Sequence, residues 1–299
     1  DRAEFMIISD IQRFCTHDGP GIRTTVFFKG CPMKCEWCHN PETQKFSPQL
    51  LFNASLCINC GACEQVCPKH AHIFNEAGHS LDRNLCKNCL ICASVCTSEA
   101  CCVCGKNLSV KDVLKEVIKD APFYGTNGGA TLSGGEPLAQ GESIELLRKL
   151  KEFGINTAVE TSGCVSKERI LESAEFTDLF LYDIKDTDSE RLKQYTGGNF
   201  SEITDNLFAL DRTNKSILRC ILVFGVNTDE KHYAFISEIY SSLKNCLGVQ
   251  FLPYHPYGGS KATSVFGKSN AHEEWIPPKT CIDGAKSFLQ ERNVTVIEE

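Results

Sequence analysis

From Ser109 onward, short apolar runs alternate with amphipathic ones, and this alternation restricts the fold more than any other feature of the chain. Runs at 130–132, 156–159, 178–182, 216–223 and 249–252 are apolar and largely β-branched or aromatic, as strands are. Between them, 3.6-residue periodicity predicts helices at about 142–153, 167–175, 202–210 and 231–244, with Gly154 ending the first. Before them, Ser109-Val110-Lys111-Asp112 has capping-box character, and Val110, Val113, Leu114, Val117 and Ile118 fall on one helical face. Alternation of this kind implies parallel strands joined by right-handed crossovers. A β-branched and aromatic strand at 24–28 brings the count to six βα units, too few for a closed eightfold barrel. A short run at 5–8 reads as an edge strand, and the C-terminal stretch offers a helix near 279–291 and a last strand at 294–297.

A chain of 299 residues can bury a sizeable core, so one large domain with a small insert is expected. Its formal charge of -7 and pI near 5.7 argue against a broad phosphate-binding face, so no nucleic-acid partner is expected. No apolar run reaches bilayer length and no apolar signal segment opens the sequence. The expectation is a cytoplasmic protein, free of membranes and monomeric. Nineteen cysteines in a reducing compartment then require an explanation other than disulfides.

Three of them stand in Cys31-x3-Cys35-x2-Cys38, directly after the strand at 24–28. A cubane iron-sulfur cluster takes four cysteines, so three leave one iron open to a ligand, whereas structural zinc would close its fourth position. This spacing, with Trp37 before the last cysteine and His39 after it, resembles the radical S-adenosylmethionine (radical SAM) enzymes. The resemblance implies that the open iron chelates the amino and carboxylate groups of S-adenosylmethionine. It also implies an α/β fold, a partial open (β/α)6 barrel. Upstream, the run DGPGIRTTVFFKGCP resembles the opening of the glycyl radical enzyme activating enzymes, a more specific match than the cysteines alone.

Between 53 and 104 the composition changes. Cys57-x2-Cys60-x2-Cys63-x3-Cys67-Pro68 is followed by Cys86-x2-Cys89-x2-Cys92-x3-Cys96-Thr97. Each run has the ligand spacing of a two-cluster bacterial ferredoxin, in which the fourth cysteine serves the other cluster. That arrangement groups Cys57, Cys60, Cys63 and Cys96 on one cluster and Cys86, Cys89, Cys92 and Cys67 on the other. A pair of zinc knuckles is the alternative, disfavoured because eight evenly placed cysteines fit two cubanes better. The expected organisation is therefore a barrel formed by 1–52 and 105–299, with a ferredoxin-like insert at 53–104 and three 4Fe-4S clusters in all. So small an insert has little core, and loss of iron should unfold it first. Of the remaining eight cysteines, most are expected to be buried small hydrophobes, the Cys101-Cys102-x-Cys104 group included.

Active sites on parallel sheets form beyond the C-terminal strand ends, and the polar motifs lie there. The strand at 130–132 runs into Ser133-Gly134-Gly135-Glu136-Pro137, the next into Glu160-Thr161-Ser162-Gly163, and the next into Asp183-Ile184-Lys185. Alternation puts Asp183 and Lys185 on one face, where they could form a bland ion pair or line a site. By the resemblance, Gly134, Gly135 and Glu136 hold the methionine amino group, and Glu160, Thr161, Asp183 and Lys185 lie along the ribose and methionine. A monovalent cation at Glu160 and Asp183 is part of the same pattern, although Glu160 stands where some members have Asp. Arg219 is placed to reach the cofactor carboxylate or an incoming peptide, and His255, in Leu252-Pro253-Tyr254-His255, matches a cofactor-contacting histidine. Asp18 and Arg23 are expected near the mouth, against a partner loop.

Together these implications describe an activase. An external donor, flavodoxin or ferredoxin, reduces the open cluster. S-adenosylmethionine is cleaved to a 5'-deoxyadenosyl radical, and that radical takes a hydrogen from a backbone glycine of a partner glycyl radical enzyme. Two alternatives stand beside this reading. A radical SAM enzyme acting on a small molecule or peptide typically carries its extra clusters in a C-terminal extension, where this chain has only Cys281. A non-catalytic iron-sulfur electron carrier leaves GGEP, DIK and LPYH without a purpose.

Overall fold

The structure, a computed structural model, describes residues 5–298; the outer limits of the expected barrel, 1–4 and 299, lie outside the described residues. The chain opens with β1 (Phe5–Cys15) and β2 (Arg23–Phe28). There follow β3 (Gln49–Phe52), α1 (Ala62–Val66), β4 (His72–Asn75), β5 (Gly78–Leu81), α2 (Ile91–Val95) and β6 (Cys101–Cys104). After β7 (Lys106–Ser109) and α3 (Val110–Ile118) come β8 (Gly129–Gly134), α4 (Glu142–Glu152), β9 (Thr157–Thr161), α5 (Lys167–Ala174) and β10 (Leu179–Ile184). The rest is α6 (Ser189–Thr196), α7 (Phe200–Leu210), β11 (Ser216–Leu222), α8 (Glu230–Ser242), β12 (Cys246–Pro253), α9 (Gly258–Phe266) and α10 (Lys279–Gln290).

Eight strands make one sheet in the order β12-β11-β10-β9-β8-β2-β1-β7. The six from β2 to β12 are all parallel, with β1 antiparallel to β2 and β7 antiparallel to β1. This is an α/β fold built on the alternation that the sequence displays. Residues Phe5–Ile8, expected at an edge, are instead covered by β7, whose Lys-Asn-Leu-Ser sequence carries no strand signal of its own. The strand expected at 294–297 is reduced to a single parallel bridge between Val296 and Val249. Outside 49–104, two of the described helices escape the periodicity argument, α6 and α9.

The capping box at α3 forms as its residues require: Ser109 accepts from the Asp112 amide, and the Asp112 carboxylate accepts from Ser109. Apolar faces of α3, α4, α5 and α7 pack with the sheet into one core that includes Val26, Phe28, Leu132, Leu147, Phe180 and Leu218, all fully buried.

The sheet must curve. Five inter-strand spacings separate β2 from β12, about 24 Å if flat. Yet His39, beyond the end of β2, stacks on His255, beyond the end of β12, with ring centroids 3.9 Å apart. Strand ends at the two extremes of the parallel row therefore face one shared space.

β3 and β6 pair as a two-stranded sheet that brings Gln49–Phe52 against Cys101–Cys104, and β4 with β5 makes a second hairpin between them. This region repeats itself. Backbone with positive φ occurs at Asn59, Gly61 and His70, and again at Asn88, Leu90 and Glu99, at the same offsets from the first cysteine of each run. The helices α1 and α2 occupy matching offsets as well, and they pack on each other.

Candidate active site

The loop after β2 is fixed from four directions. Gly30 (φ +107°) turns the chain, its amide donating to the Thr43 carbonyl, and Cys31 donates to the Gln44 carbonyl. Lys34 and Glu36 amides donate to the carbonyls of Thr196 and Tyr195 at the end of α6. The Glu136 amide donates to the Gly30 carbonyl at 2.8 Å. Asn270 Nδ2 donates to the Glu36 carbonyl from beyond α9, and Gly258 of α9 leaves no room for a Cβ against the Cys38 carbonyl. Trp37, 3% exposed, packs with Tyr195 and Trp275. Both overlooked helices thus serve the cysteine loop. Signals for α6 were present in its capping Asp188 and in Gly197 at its C-terminus, whereas the Gly-Gly-Ser-Lys-Ala-Thr-Ser sequence of α9 has weak helix propensity.

Cys31, Cys35 and Cys38 line a cavity of about 170 Å³ together with Trp37, His39, Gly134, Gly135, Glu160, Asp183, Lys185 and Arg219. Burial raises all three thiols, Cys35 to about 12, so thiolate forms there only when a cation compensates it. Their spacing bears on which cation. Thiolates around one tetrahedral zinc lie about 3.8 Å apart, from zinc-sulfur bonds of about 2.3 Å. Among the described residues, the groups of three ligand atoms lying within 4.8 Å of one another are Cys63–His72–His79 and His72–Cys92–Cys101; Cys31, Cys35 and Cys38 are not such a group. The loop suits a body larger than one ion, as a cubane cluster is. Across the cavity, the buried Nε2 of His39 has no hydrogen-bond partner among the described residues, a polar atom that a ligand could satisfy.

Charge in the cavity is paired. Arg219 Nη1 lies 2.8 Å from Glu160 Oε1, and Lys185 Nζ lies 3.0 Å from Asp183 Oδ2. Burial pushes Glu160 up, but Arg219, a hydrogen bond from Ser133 and the Lys185 charge outweigh it and leave its carboxyl below the usual range. Asp183 moves up, since burial outweighs the Lys185 charge. Lys185 stays charged because Asp183 and the cysteine loop overcome its desolvation. His39 falls to about 4, through burial first and then the His255 and Lys185 charges, and is neutral. Each carboxylate of the anticipated cation site already faces a cationic side chain.

Three of the anticipated contacts, Glu136, Thr161 and His255, stand outside the lining of this cavity. Glu136 is fully buried outside the cavity wall, where its carboxylate accepts from Thr161 Oγ1 (2.8 Å), Ser162 N (2.9 Å), Ser162 Oγ (2.7 Å) and Leu138 N (3.3 Å). It ties the end of β8 to the end of β9, and Thr161 is part of that tie. From this motif Ser133, Gly134 and Gly135 reach the cavity, with Gly134 at φ +109°, where a Cβ would lie 2.4 Å from the Phe28 backbone. His255 lines a smaller adjoining void with Tyr254 and backs His39.

Arg23 is corrected outright. It is fully buried at the opposite, N-terminal end of β2, where it donates to Thr131 Oγ1 and to the carbonyls of Pro20, Ala130 and Asn156, so it cannot meet a partner. Asp18 accepts from Thr25 Oγ1, and its carboxyl is raised by burial and by the Glu160 charge.

In the 49–104 region, Cys57, Cys60, Cys63 and Cys96 line one small apolar cavity and Cys67, Cys86, Cys89 and Cys92 line another. Backbone amides point at their sulfurs: Asn59 to Cys57, Ala71 to Cys67 and Cys101 to Cys96, at 3.3–3.4 Å. Of the cysteines outside the three runs, Cys101, Cys104 and Cys220 are buried and the others half-buried.

A family model described as a 4Fe-4S single cluster domain matches residues 17–183. The chain is similar to the choline trimethylamine-lyase activating enzyme of Oleidesulfovibrio alaskensis, 41% identical over 264 residues that make up 85% of each chain. It is similar to the trans-4-hydroxy-L-proline dehydratase activating enzyme of Clostridioides difficile, 39% identical over 293 residues, 96% of this chain and 97% of that one. Among solved structures, Streptococcus suis SuiB bound to the precursor peptide SuiA superposes with a TM-score of 0.53, covering 90% of this chain and 46% of that one. At 10% identity that likeness concerns the fold alone.

Proposed function

The chain belongs to the glycyl radical enzyme activating enzymes of the radical SAM group, and from that membership we propose how its own residues carry the activity. It cleaves S-adenosylmethionine reductively and generates a radical on a backbone glycine of a partner glycyl radical enzyme. When bound by Cys31, Cys35 and Cys38, a 4Fe-4S cluster supplies the electron that breaks the sulfonium bond to the 5' carbon, releasing methionine and a 5'-deoxyadenosyl radical.

The residues hold, orient and exclude. Gly134 and Gly135 present bare backbone to the amino group, Arg219 or Lys185 meets the carboxylate, and Glu160 and Asp183 keep those two cations in place until the ligand arrives. His39, neutral and backed by His255, offers its Nε2 to the nucleoside portion. Glu136 and Thr161 position the β8 and β9 ends without touching the ligand. Glycine suits the target role because only a residue without a side chain brings so compact a backbone to this mouth.

Residues 53–104 are read as a ferredoxin-like insert in the barrel formed by 1–52 and 105–299, holding two further 4Fe-4S clusters. The crossed cysteine sets around two cavities support this reading. Flavodoxin or ferredoxin is the proposed electron donor, and a cytoplasmic monomer the proposed working form. Among the described residues no helix is long and apolar enough to cross a membrane.

The observation that carries the reading is the convergence of three loop cysteines and five strands of the parallel row on one cavity. It is tested by incubating the reduced, iron-loaded protein and S-adenosylmethionine with candidate glycyl radical enzymes of the lyase and dehydratase types. A glycine-centred electron paramagnetic resonance (EPR) signal on one of them is expected. Transfer of hydrogen from a small molecule or free peptide instead, with no glycyl signal on any partner, would move the reading to its rival.

A further inference from the structure

Two histidines connect the two cysteine-lined cavities of the insert. His72 lines the cavity of Cys67, Cys86, Cys89 and Cys92, and His79 lines the other. Both are buried, at 3% and 8% exposure. His72 Nδ1 and His79 Nε2 lie 2.9 Å apart, and His79 Nδ1 lies 3.1 Å from Cys57 Sγ. On the far side, a ring nitrogen of His72 and the sulfurs of Cys92 and Cys101 lie within 4.8 Å of one another. A polar path thus runs from Cys57 through two rings towards Cys92, between two cavities of largely apolar lining.

The repeat makes this path asymmetric. His72 and Cys101 open β4 and β6 at matching offsets from the first cysteine of their runs, so the repeat places an imidazole on one side and a thiol on the other. A cluster-ligating sulfur is a thiolate and can only accept. Of the two ligating sulfurs that face His79, Cys57 lies 3.1 Å from Nδ1 and Cys63 lies 3.8 Å from Nε2, so the shorter contact puts the proton on Nδ1 and leaves Nε2 to accept from His72 Nδ1–H. The Phe74 ring stacked on His79 at 4.2 Å, with Phe52 at 4.4 Å, holds the imidazole in that orientation. On the Cys92 side the repeat supplies instead the Cys101 S–H, within 4.8 Å and a weaker donor.

Hydrogen bonds to cluster sulfurs raise reduction potential. We propose that His79, oriented by His72, donates to the Cys57 sulfur and sets the cluster held by Cys57, Cys60, Cys63 and Cys96 at a higher potential than its neighbour. The two clusters of the insert are then inequivalent, and electrons settle first on the one beside His79. This inference rests on the two-cluster reading of the insert.

The test uses the anaerobic, iron-loaded full chain, titrated potentiometrically and followed by EPR. His79→Phe keeps the ring stacking and removes the donor. It should change the reduced-to-oxidised ratio of one insert cluster at least tenfold towards oxidised, about 59 mV for one electron, leaving the other two clusters unmoved. His72→Phe should shift the same cluster in the same direction by less. His79→Gln, which can still donate, should restore part of the shift. A second measurement needs no variant: protein labelled with 15N-histidine should show a nitrogen hyperfine coupling on one reduced insert cluster by pulsed EPR. Wild-type potentials in both Phe variants with all iron retained, or no 15N coupling in the wild type, overturns the proposal and leaves the two-cluster reading standing. Iron for only one cluster per wild-type chain overturns both.

Discussion

Replacing Glu136 by Gln separates bracing the site from touching its ligand. The Glu136 carboxylate is fully buried and each oxygen takes two donors: Thr161 Oγ1 and Leu138 N on one, Ser162 Oγ and Ser162 N on the other. An amide keeps one oxygen and turns two N–H donors towards the other pair. Hydroxyls can rotate to accept, but a backbone N–H cannot, so one buried amide loses its partner at about 1–3 kcal/mol. Loss of the charge-assisted bonds adds a comparable amount, while relief of the buried charge, whose desolvation raises this carboxyl, offsets part of it. We expect a net destabilisation of about 2–3 kcal/mol, or roughly 4–12 °C in melting temperature at about 2–4 °C per kcal/mol for chains near this size. S-Adenosylmethionine affinity should fall little once the variant is folded. Anaerobic thermal melts together with equilibrium binding read both quantities. A variant of wild-type stability that no longer binds S-adenosylmethionine would refute the brace and return Glu136 to the cavity wall.

Further outcomes follow from the same geometry. Gly134→Ala drives a Cβ to 2.4 Å from the Phe28 backbone at φ +109°, so it should abolish assembly of the loop cluster, read as loss of its EPR signal with the insert clusters retained. Arg23→Met strips partners from buried carbonyls and should cost about 3–5 kcal/mol, seen as a lower urea midpoint, without changing S-adenosylmethionine affinity in the folded fraction. Asp120 is held below the usual carboxyl range by its bond from Arg13, against burial, with Thr24 assisting. A carboxyl depressed in the folded state stabilises above its unfolded value, near 3.9. The stability gap between wild type and Asp120→Asn should therefore be full above about pH 5 and shrink as pH falls below about 4. Chelation of iron should expose 49–104 to limited proteolysis before the barrel, and equal cleavage of both would contradict the view that clusters staple that segment.

The legible parts of this chain are those set by local spacing. The βα alternation needs only the 2.0 and 3.6 periods, so it could be read directly, and the spacing of the two insert cysteine runs matches the two sets that line separate cavities. Side-chain pairings across the sheet could not. Glu160 meets Arg219 only because β9 and β11 flank β10, and His39 stacks on His255 only because the six-strand row curves. The bracing bonds of Glu136 were hidden for a related reason, since a strand-end carboxylate next to two glycines looks like a ligand contact until the burial of its oxygens is seen. Arg23 was misread because a short turn motif gives no sign of which end of the strand it caps. The His72–His79 pair was silent in sequence, since two histidines seven residues apart in a hairpin become a bridge only when the two cysteine runs fold against each other.

The most direct test of the central claim is 5'-deoxyadenosine formation by the reduced, reconstituted protein. Wild type should release 5'-deoxyadenosine and methionine together, and Cys35→Ala, with its insert clusters intact by EPR, should release neither. No product from fully loaded and reduced wild type, or undiminished product from Cys35→Ala, would contradict the account.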